Sequence, residues 1–210
     1  MTNRPHEKGP IVQAGAPLAD AAGVMILLHG RGGSAQDILD LGQALVPANY
    51  ALLAPQADQH TWYPNSFLVP RMQNEPYLSS ALARIKAIVE SCSQAGVANE
   101  NILVAGFSPG ACLATEFVGR NPHRYGGLLA FTGGLIGPLG EPIKLTGDLA
   151  GTPVLLSSGD PDPHVPWARV EQSAELLQGI GGSISLRRYP GRPHTVSAVE
   201  VTAAKEMMDW

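Results

Sequence analysis

The stretch Ile102-Leu103-Val104-Ala105-Gly106-Phe107-Ser108-Pro109-Gly110-Ala111-Cys112-Leu113 decides how the rest of the chain is read. Its first four residues are continuously apolar, which suits a strand covered on both faces. From Pro109 onward the pattern suits an alanine-rich helix. Proline fits the first helical position, where the amide it lacks would have no intrahelical partner. Between strand and helix lies Gly-x-Ser-x-Gly. A turn this tight forces the serine into strained geometry and projects its hydroxyl above the carboxyl edge of a sheet. Glycines at 106 and 110 remove side chains that would collide there. The flanking strand and helix separate this string from a chance match to a five-residue pattern.

Outward from this string, two kinds of segment alternate. Short apolar runs at 24–28, 50–54, 102–105, 128–131 and 154–156 are each bounded by Gly, Pro, Asn or Ser. Such runs predict strands sandwiched between helices. The segment 183–189 instead alternates Ile184 and Leu186 with polar neighbours, which predicts a strand nearer the sheet edge. Helical spacing is clearest over 76–95. There Leu78, Ala81, Leu82, Ile85, Ile88, Val89 and Cys92 form one stripe, while Arg84, Lys86 and Glu90 face away. Weaker helices are predicted over 34–45, 109–120, 167–178 and 196–208. The alternation predicts an α/β chain with a mostly parallel, doubly wound sheet flanked by helices. At 210 residues it is expected to form a single domain over 1–210.

Composition removes several classes of function. The chain is 44% hydrophobic and 15% charged, with a formal net charge of −4 and no basic cluster. That leaves no footprint for nucleic acid and no polybasic patch for anionic lipid, so the expected partner is a small molecule. No apolar run reaches the roughly 18 residues of a membrane span. Residues 1–10 carry Arg4, His6, Glu7 and Lys8 and lack the apolar centre of a secretory signal, so a cytoplasmic location is expected. Cys92 and Cys112 lie in no CxxC or metal-ligand spacing and read as small buried residues in a reducing compartment. His29, His60, His123, His164 and His194 are scattered without paired ligand spacing, so no metal site is expected.

A serine needs an adjacent base to become a nucleophile. In a sheet of this kind the partners sit on loops after later strands, in the order serine, acid, histidine. The strand around 154–157 leads into Gly159-Asp160-Pro161-Asp162-Pro163-His164-Val165-Pro166, and the strand at 183–189 into Pro190-Gly191-Arg192-Pro193-His194-Thr195. His194 is thus the candidate base. Asp160 and Asp162 compete as the acid that orients it, and the loser would be a turn or capping aspartate. Two stretches, 55–75 and 132–152, lack regular pattern, and loops this long often shape a binding site. The first carries Trp62, Tyr63, Phe67 and Leu68, which either wall a pocket or pin the loop to the core.

With His29-Gly30-Arg31-Gly32-Gly33 after the first apolar run, four motifs stand in order. They are that string, Gly106-Phe107-Ser108-Pro109-Gly110, Gly159-x-x-Asp162-x-x-Val165-Pro166, and His194 before the closing helix. Together, and over nearly the whole chain, they resemble the phospholipase/carboxylesterase family of the α/β-hydrolase fold. That group includes bacterial type II carboxylesterases and acyl-protein thioesterases. The resemblance implies that the acid is Asp162 rather than Asp160. It also implies a hydrolase without a separate cap domain, metal or cofactor, cleaving carboxylic esters or thioesters through an acyl-enzyme. Dimers are frequent among such proteins.

The family's oxyanion hole uses two backbone amides. One follows the His-Gly pair and here belongs to Arg31, with glycines at 30, 32 and 33 allowing close approach. His29 reads as a structural histidine, and the Arg31 side chain as a solvated group. The second amide belongs to the residue after the serine. Relatives commonly carry glutamine there, but this chain carries Pro109, which has no N–H. Loss of one such donor costs about 100- to 1000-fold in turnover. Three readings follow: the Gly110 amide or a water substitutes; the enzyme is slow on ordinary esters; or Pro109 is an engineered or adaptive change that alters the preferred acyl acceptor. The candidate pocket walls are Trp62, Phe67, Leu68, Leu135, Ile136, Val165 and Trp167, with Phe107 either beside the nucleophile or in the core. They suggest a modest apolar pocket for short- to medium-chain or aryl esters. The alternatives are an acyl-protein thioesterase or lysophospholipase, and a catalytically weak ligand-binding homologue.

Overall fold

The computed structural model describes residues 4–209; residues 1–3 and 210, which the expected domain includes, lie outside the described residues. Seven strands form one sheet: β1 (Ile11–Gly15), β2 (Gly23–Leu28), β3 (Tyr50–Pro55), β4 (Ile102–Phe107), β5 (Gly127–Phe131), β6 (Pro153–Asp160) and β7 (Ser183–Pro190). Their order is β1-β3-β2-β4-β5-β6-β7. Every neighbouring pair is parallel except β1 with β3. The helices are α1 (Ala35–Leu45), α2 (Tyr77–Gln94), α3 (Pro109–Arg120), α4 (Trp167–Gly179) and α5 (Ala198–Met207). This is the mostly parallel, helix-flanked sheet expected from the alternating segments, and it has the α/β-hydrolase arrangement that the resemblance implied.

The continuous apolar runs have a direct cause. Successive residues of a strand point to opposite faces, and here both faces are covered. Val24, Ile26, Leu28, Val104 and Leu156 pack with α2, α3 and α4. Met25, Leu27, Leu103, Ala105 and Leu155 pack with α1 and α5. β7 lies at the sheet edge, as its polar neighbours predicted, and none of its residues is buried, Leu186 being 37% exposed. β1 was not foreseen. Only Ile11 and Val12 mark it, and its place is set by antiparallel pairing along β3, from Ile11 opposite Pro55 to Gly15 opposite Ala51.

Helix starts are chemically marked. α1 and α5 both begin with a capping box, Ser34 with Asp37 and Ser197 with Glu200, an arrangement that satisfies two otherwise orphaned amides. Pro76 lies just before α2 rather than inside its first turn. Strand order reverses between β2 and β4, because β2 connects outward to β3 while β4 begins the run to β7. At such a switch point the loops leaving the two carboxyl ends diverge and open a crevice. The loops carrying His29 to Gly33, Ser108, Asp162 and His194 all leave that edge. Among the described residues no helix is long and apolar enough to cross a membrane.

Candidate active site

Ser108 has φ 56° and ψ −122°, an unusual conformation for a residue with a side chain. Its N–H donates to the Phe131 carbonyl at 3.0 Å, tying the turn to the end of β5. The two flanking glycines are required by close backbone approach. A Cβ at Gly106 would sit 2.5 Å from the Gly110 carbonyl, and one at Gly110 would sit 2.1 Å from the Leu28 carbonyl oxygen. The start of α3 is therefore pressed directly onto the end of β2.

Three side chains meet at this turn. Ser108 Oγ lies 2.8 Å from His194 Nε2. His194 Nδ1 lies 2.8 Å from Asp162 Oδ2. The other oxygen of Asp162 accepts the amides of His164 and Val165, each at 2.9 Å. Burial would raise the Asp162 carboxyl, but the hydrogen bonds from His194 and the two amides outweigh it, and the net shift is downward. An ionised Asp162 accepts a proton on Nδ1 and leaves Nε2 free to receive the serine hydroxyl. Asp160 is directed elsewhere and forms an ion pair with Arg188 of β7. The two candidate acids are thus separated in space, with Asp162 alone at the histidine.

A cleft of about 840 Å³ opens over Ser108. Phe67, Leu68 and Val165 line it, together with Phe107, whose ring lies 5.1 Å from that of His194. Tyr63, Asn65, Ser66 and His164 add polar wall. The other four expected wall residues are elsewhere. Trp62 is fully buried, donates from Nε1 to the His29 carbonyl at 2.9 Å and packs on the His29 ring. Leu135 and Ile136 lie in the core, because their loop is held down by charged side chains on α3 and α4. Arg169 donates to the carbonyls of Leu135 and Pro138, and Glu116 accepts the Ile136 amide. Trp167 lies beneath the Arg188 guanidinium, outside the cleft lining. The segment 132–152 therefore does not wall the cleft, whereas 55–75 does.

The oxyanion side has its own architecture. His29 is buried, with Nδ1 2.7 Å from the Gly30 carbonyl and Nε2 accepting the Ala57 amide at 3.2 Å. Burial lowers its pKa, and the contacts are those of a structural histidine. The Arg31 side chain is solvent-exposed, as expected, but also tied down. It donates to the carbonyls of Tyr63 and Asn65, both at 3.0 Å, and so anchors the cleft loop. Neighbouring amides of the glycine-rich turn are used internally, Gly32 on His60 and Gly33 on Gly30. The Arg31 amide has no acceptor among the described residues. Pro109 offers no N–H at the start of α3, and its carbonyl instead accepts the Tyr63 hydroxyl at 3.3 Å.

Cys112 also borders the cleft. Burial pushes its thiol up to about 12, against smaller lowering contacts from Gly134 and Tyr63. It stays protonated at neutral pH and does not compete with Ser108 as a nucleophile. Both cysteines are free and buried. Among the described residues no three of His, Cys, Asp and Glu are grouped so as to hold a metal ion.

Sequence reasoning gave no role to Arg192, Glu200, Glu116 or Arg169, although all four are buried and charged around the site. One signal was present: Ser197-Ala198-Val199-Glu200 has the spacing of a capping box and places Glu200 at the first turn of the closing helix. The buried arginines carried no such mark.

Comparison with known proteins adds an independent line. The family model described as Phospholipase/Carboxylesterase matches residues 10–210. The crystal structure of a phospholipase/carboxylesterase from Dyadobacter fermentans is 42% identical with a TM-score of 0.92, covering 97% of each chain. An acyl-protein thioesterase 1 from Gibberella zeae is 29% identical over 116 residues, which are 54% of this chain and 49% of that protein. The matched stretch thus spans about half the length of that curated relative. The acyl-protein thioesterase 1 of Debaryomyces hansenii is 23% identical over 95% of this chain and 96% of its own.

Proposed function

The chain belongs to the phospholipase/carboxylesterase family, and on that premise we propose that it is a serine carboxylesterase acting on short- to medium-chain or aryl carboxylic esters through an acyl-enzyme. One observation carries this reading: the chain Ser108 Oγ, His194, Asp162, joined at 2.8 Å and 2.8 Å on a strained strand-to-helix turn. Ser108 attacks the ester carbonyl while His194 Nε2 takes its proton. Asp162 holds the imidazole and stabilises its charged form. The carbonyl oxygen, now anionic, receives the Arg31 amide. Its second donor is the Gly110 amide or a water at the positive end of α3. His194 returns its proton to the departing alcohol, and then activates the water that releases the acid.

The preference for short to medium acyl groups rests on the three apolar walls Phe67, Leu68 and Val165 beside polar lining from Asn65, Ser66 and His164. Hydrolysis of p-nitrophenyl acetate, butyrate and octanoate, with Ser108→Ala as control, tests it. Activity on the two shorter esters that vanishes in the control is expected. Long-chain esters turned over much faster than butyrate would overturn the chain-length assignment. The relatives named acyl-protein thioesterase support a second reading, in which thioesters are the better substrates. Matched octanoyl oxygen and sulfur esters separate the two. A cytoplasmic location is part of the proposal, supported by two free cysteines.

A further inference from the structure

His194 reaches its two partners through its ring, but its backbone is held from below by another side chain. Arg192 folds back so that Nη1 donates to the carbonyls of both Pro193 and Thr195, the residues flanking the histidine; the first contact is 2.7 Å. Nη2 donates to Thr132 Oγ1 at 2.7 Å. Thr132 follows Phe131, whose carbonyl accepts the Ser108 amide, and its own amide donates to the Ser157 carbonyl. Nε lies 3.1 Å from Glu200 Oε2. Glu200 accepts the Ser157 hydroxyl at 2.7 Å and the Ser197 amide at 2.9 Å. One guanidinium therefore ties the histidine loop to the end of β5 and the start of α5 and, through Thr132 and Glu200, to Ser157 within β6. The side chains of Arg192 and Glu200 are only 7% and 0% exposed.

A buried ion pair is weak evidence for stability, since apolar residues of similar size commonly serve as well; fixing one geometry is its better-attested use. The planar fork of arginine suits the task because it aims several donors in fixed directions, which a lysine ammonium cannot do. We propose that Arg192, braced by Glu200, is a positioning residue that sets the His194 ring against Ser108. The proposal rests on the reading of His194 as the base. It acts through the two carbonyls beside the histidine rather than through any contact with substrate.

Arg192→Lys keeps charge and bulk but loses the fork. A displacement near 1 Å of a catalytic group costs on the order of 100-fold. The expected result with p-nitrophenyl butyrate is a kcat lower by about 10- to 100-fold, with KM held within about twofold. The downfield proton NMR signal of His194 Nδ1–H, which reports its bond to Asp162, is expected to weaken or shift. Free guanidinium added to Arg192→Ala should restore part of kcat. Glu200→Gln, which keeps an acceptor for Ser197, should show the same split at smaller size and decides the matter if the arginine variants fail to fold. An unchanged NMR signal and a kcat within twofold of the parent protein, in variants that melt normally, would overturn the inference. Absence of Ser108-dependent turnover in the parent protein would instead fail the esterase reading, and the NMR signal would still decide the positioning claim.

Discussion

Ser108 is flanked by two differently built regions. On the β6 and β7 side, the groups at the serine are held by several contacts each: Asp162 receives two amides and the histidine, and the loop that bears His194 is clamped by Arg192. On the β2 side, the glycine-rich turn is held by His29, His60 and the Arg31 side chain and leaves the Arg31 amide without an acceptor among the described residues, while Pro109, facing it at the start of α3, has no N–H to add. In the proposed mechanism the proton-transfer half is fully supplied by side chains, whereas the charge-stabilising half draws its second donor from Gly110 or a water rather than from residue 109. The difference traces to a single residue, because proline at 109 satisfies the helix start while withholding its N–H.

The largest expected effect lies on the complete side. Asp162→Asn should lower kcat by about 10⁴-fold, since an amide no longer fixes the tautomer. Asp160→Asn breaks only a half-exposed pair with Arg188, so it should change kcat by less than about threefold. Equal losses in the two variants would erase the distinction between the carboxylates. Steady-state rates on p-nitrophenyl butyrate are sufficient.

Next in size is repair of the deficient side. Pro109→Gln restores an N–H at the start of α3 and should raise kcat by about 10- to 100-fold, the inverse of losing an oxyanion donor. KM should change little, because the gain appears only as the oxygen becomes charged. If the variant were equally active or slower, the missing-donor argument would be wrong, and the Gly110 amide or a water would serve as well as an amide at position 109.

A smaller effect concerns acid. Burial lowers the pKa of His29, below the oxyanion loop, and of His6, which binds the Trp62 carbonyl. A histidine with a lowered folded pKa contributes stability that is fully present above its unfolded value of 6.5 and is lost as pH falls through its folded value. Each can remove up to about 1.4 kcal/mol per pH unit in that window. Asp162 is also lowered, so its contribution disappears only below the ordinary carboxylate range. The oxyanion side should therefore loosen first on acidification. Melting temperature against pH should slope downward below 6.5, and more shallowly in His29→Gln. A flat profile from pH 7 to 5 in the parent protein would contradict this order.

How much was legible in the sequence differs between these regions for physical reasons. Buried parallel strands announce themselves by continuous apolarity, and the turn at Ser108 by glycines that backbone contact demands. The positions of Asp162 and His194 followed from chain order along the sheet edge. The choice between Asp160 and Asp162, two residues apart on one loop, did not follow from chemistry alone and needed the family resemblance. Pocket walls were least legible. Trp62 and Phe67 stand five residues apart on one irregular loop, yet one is sealed beneath His29 and the other faces the cleft. Leu135 and Ile136 were drawn into the core by Glu116 and Arg169, contacts between distant segments that no local pattern encodes. β1 escaped notice because an edge strand needs little apolar surface of its own.

The most direct test of the central claim is covalent. A fluorophosphonate ester, followed by peptide mass spectrometry, should give one adduct, on Ser108, in the parent protein, and His194→Ala should suppress it. Such reagents report activation of the serine by its base, whatever ester the protein acts on. Labelling of Ser108 at the same rate in His194→Ala, or an adduct on another residue alone, would contradict the assignment of Ser108 and His194 as nucleophile and base.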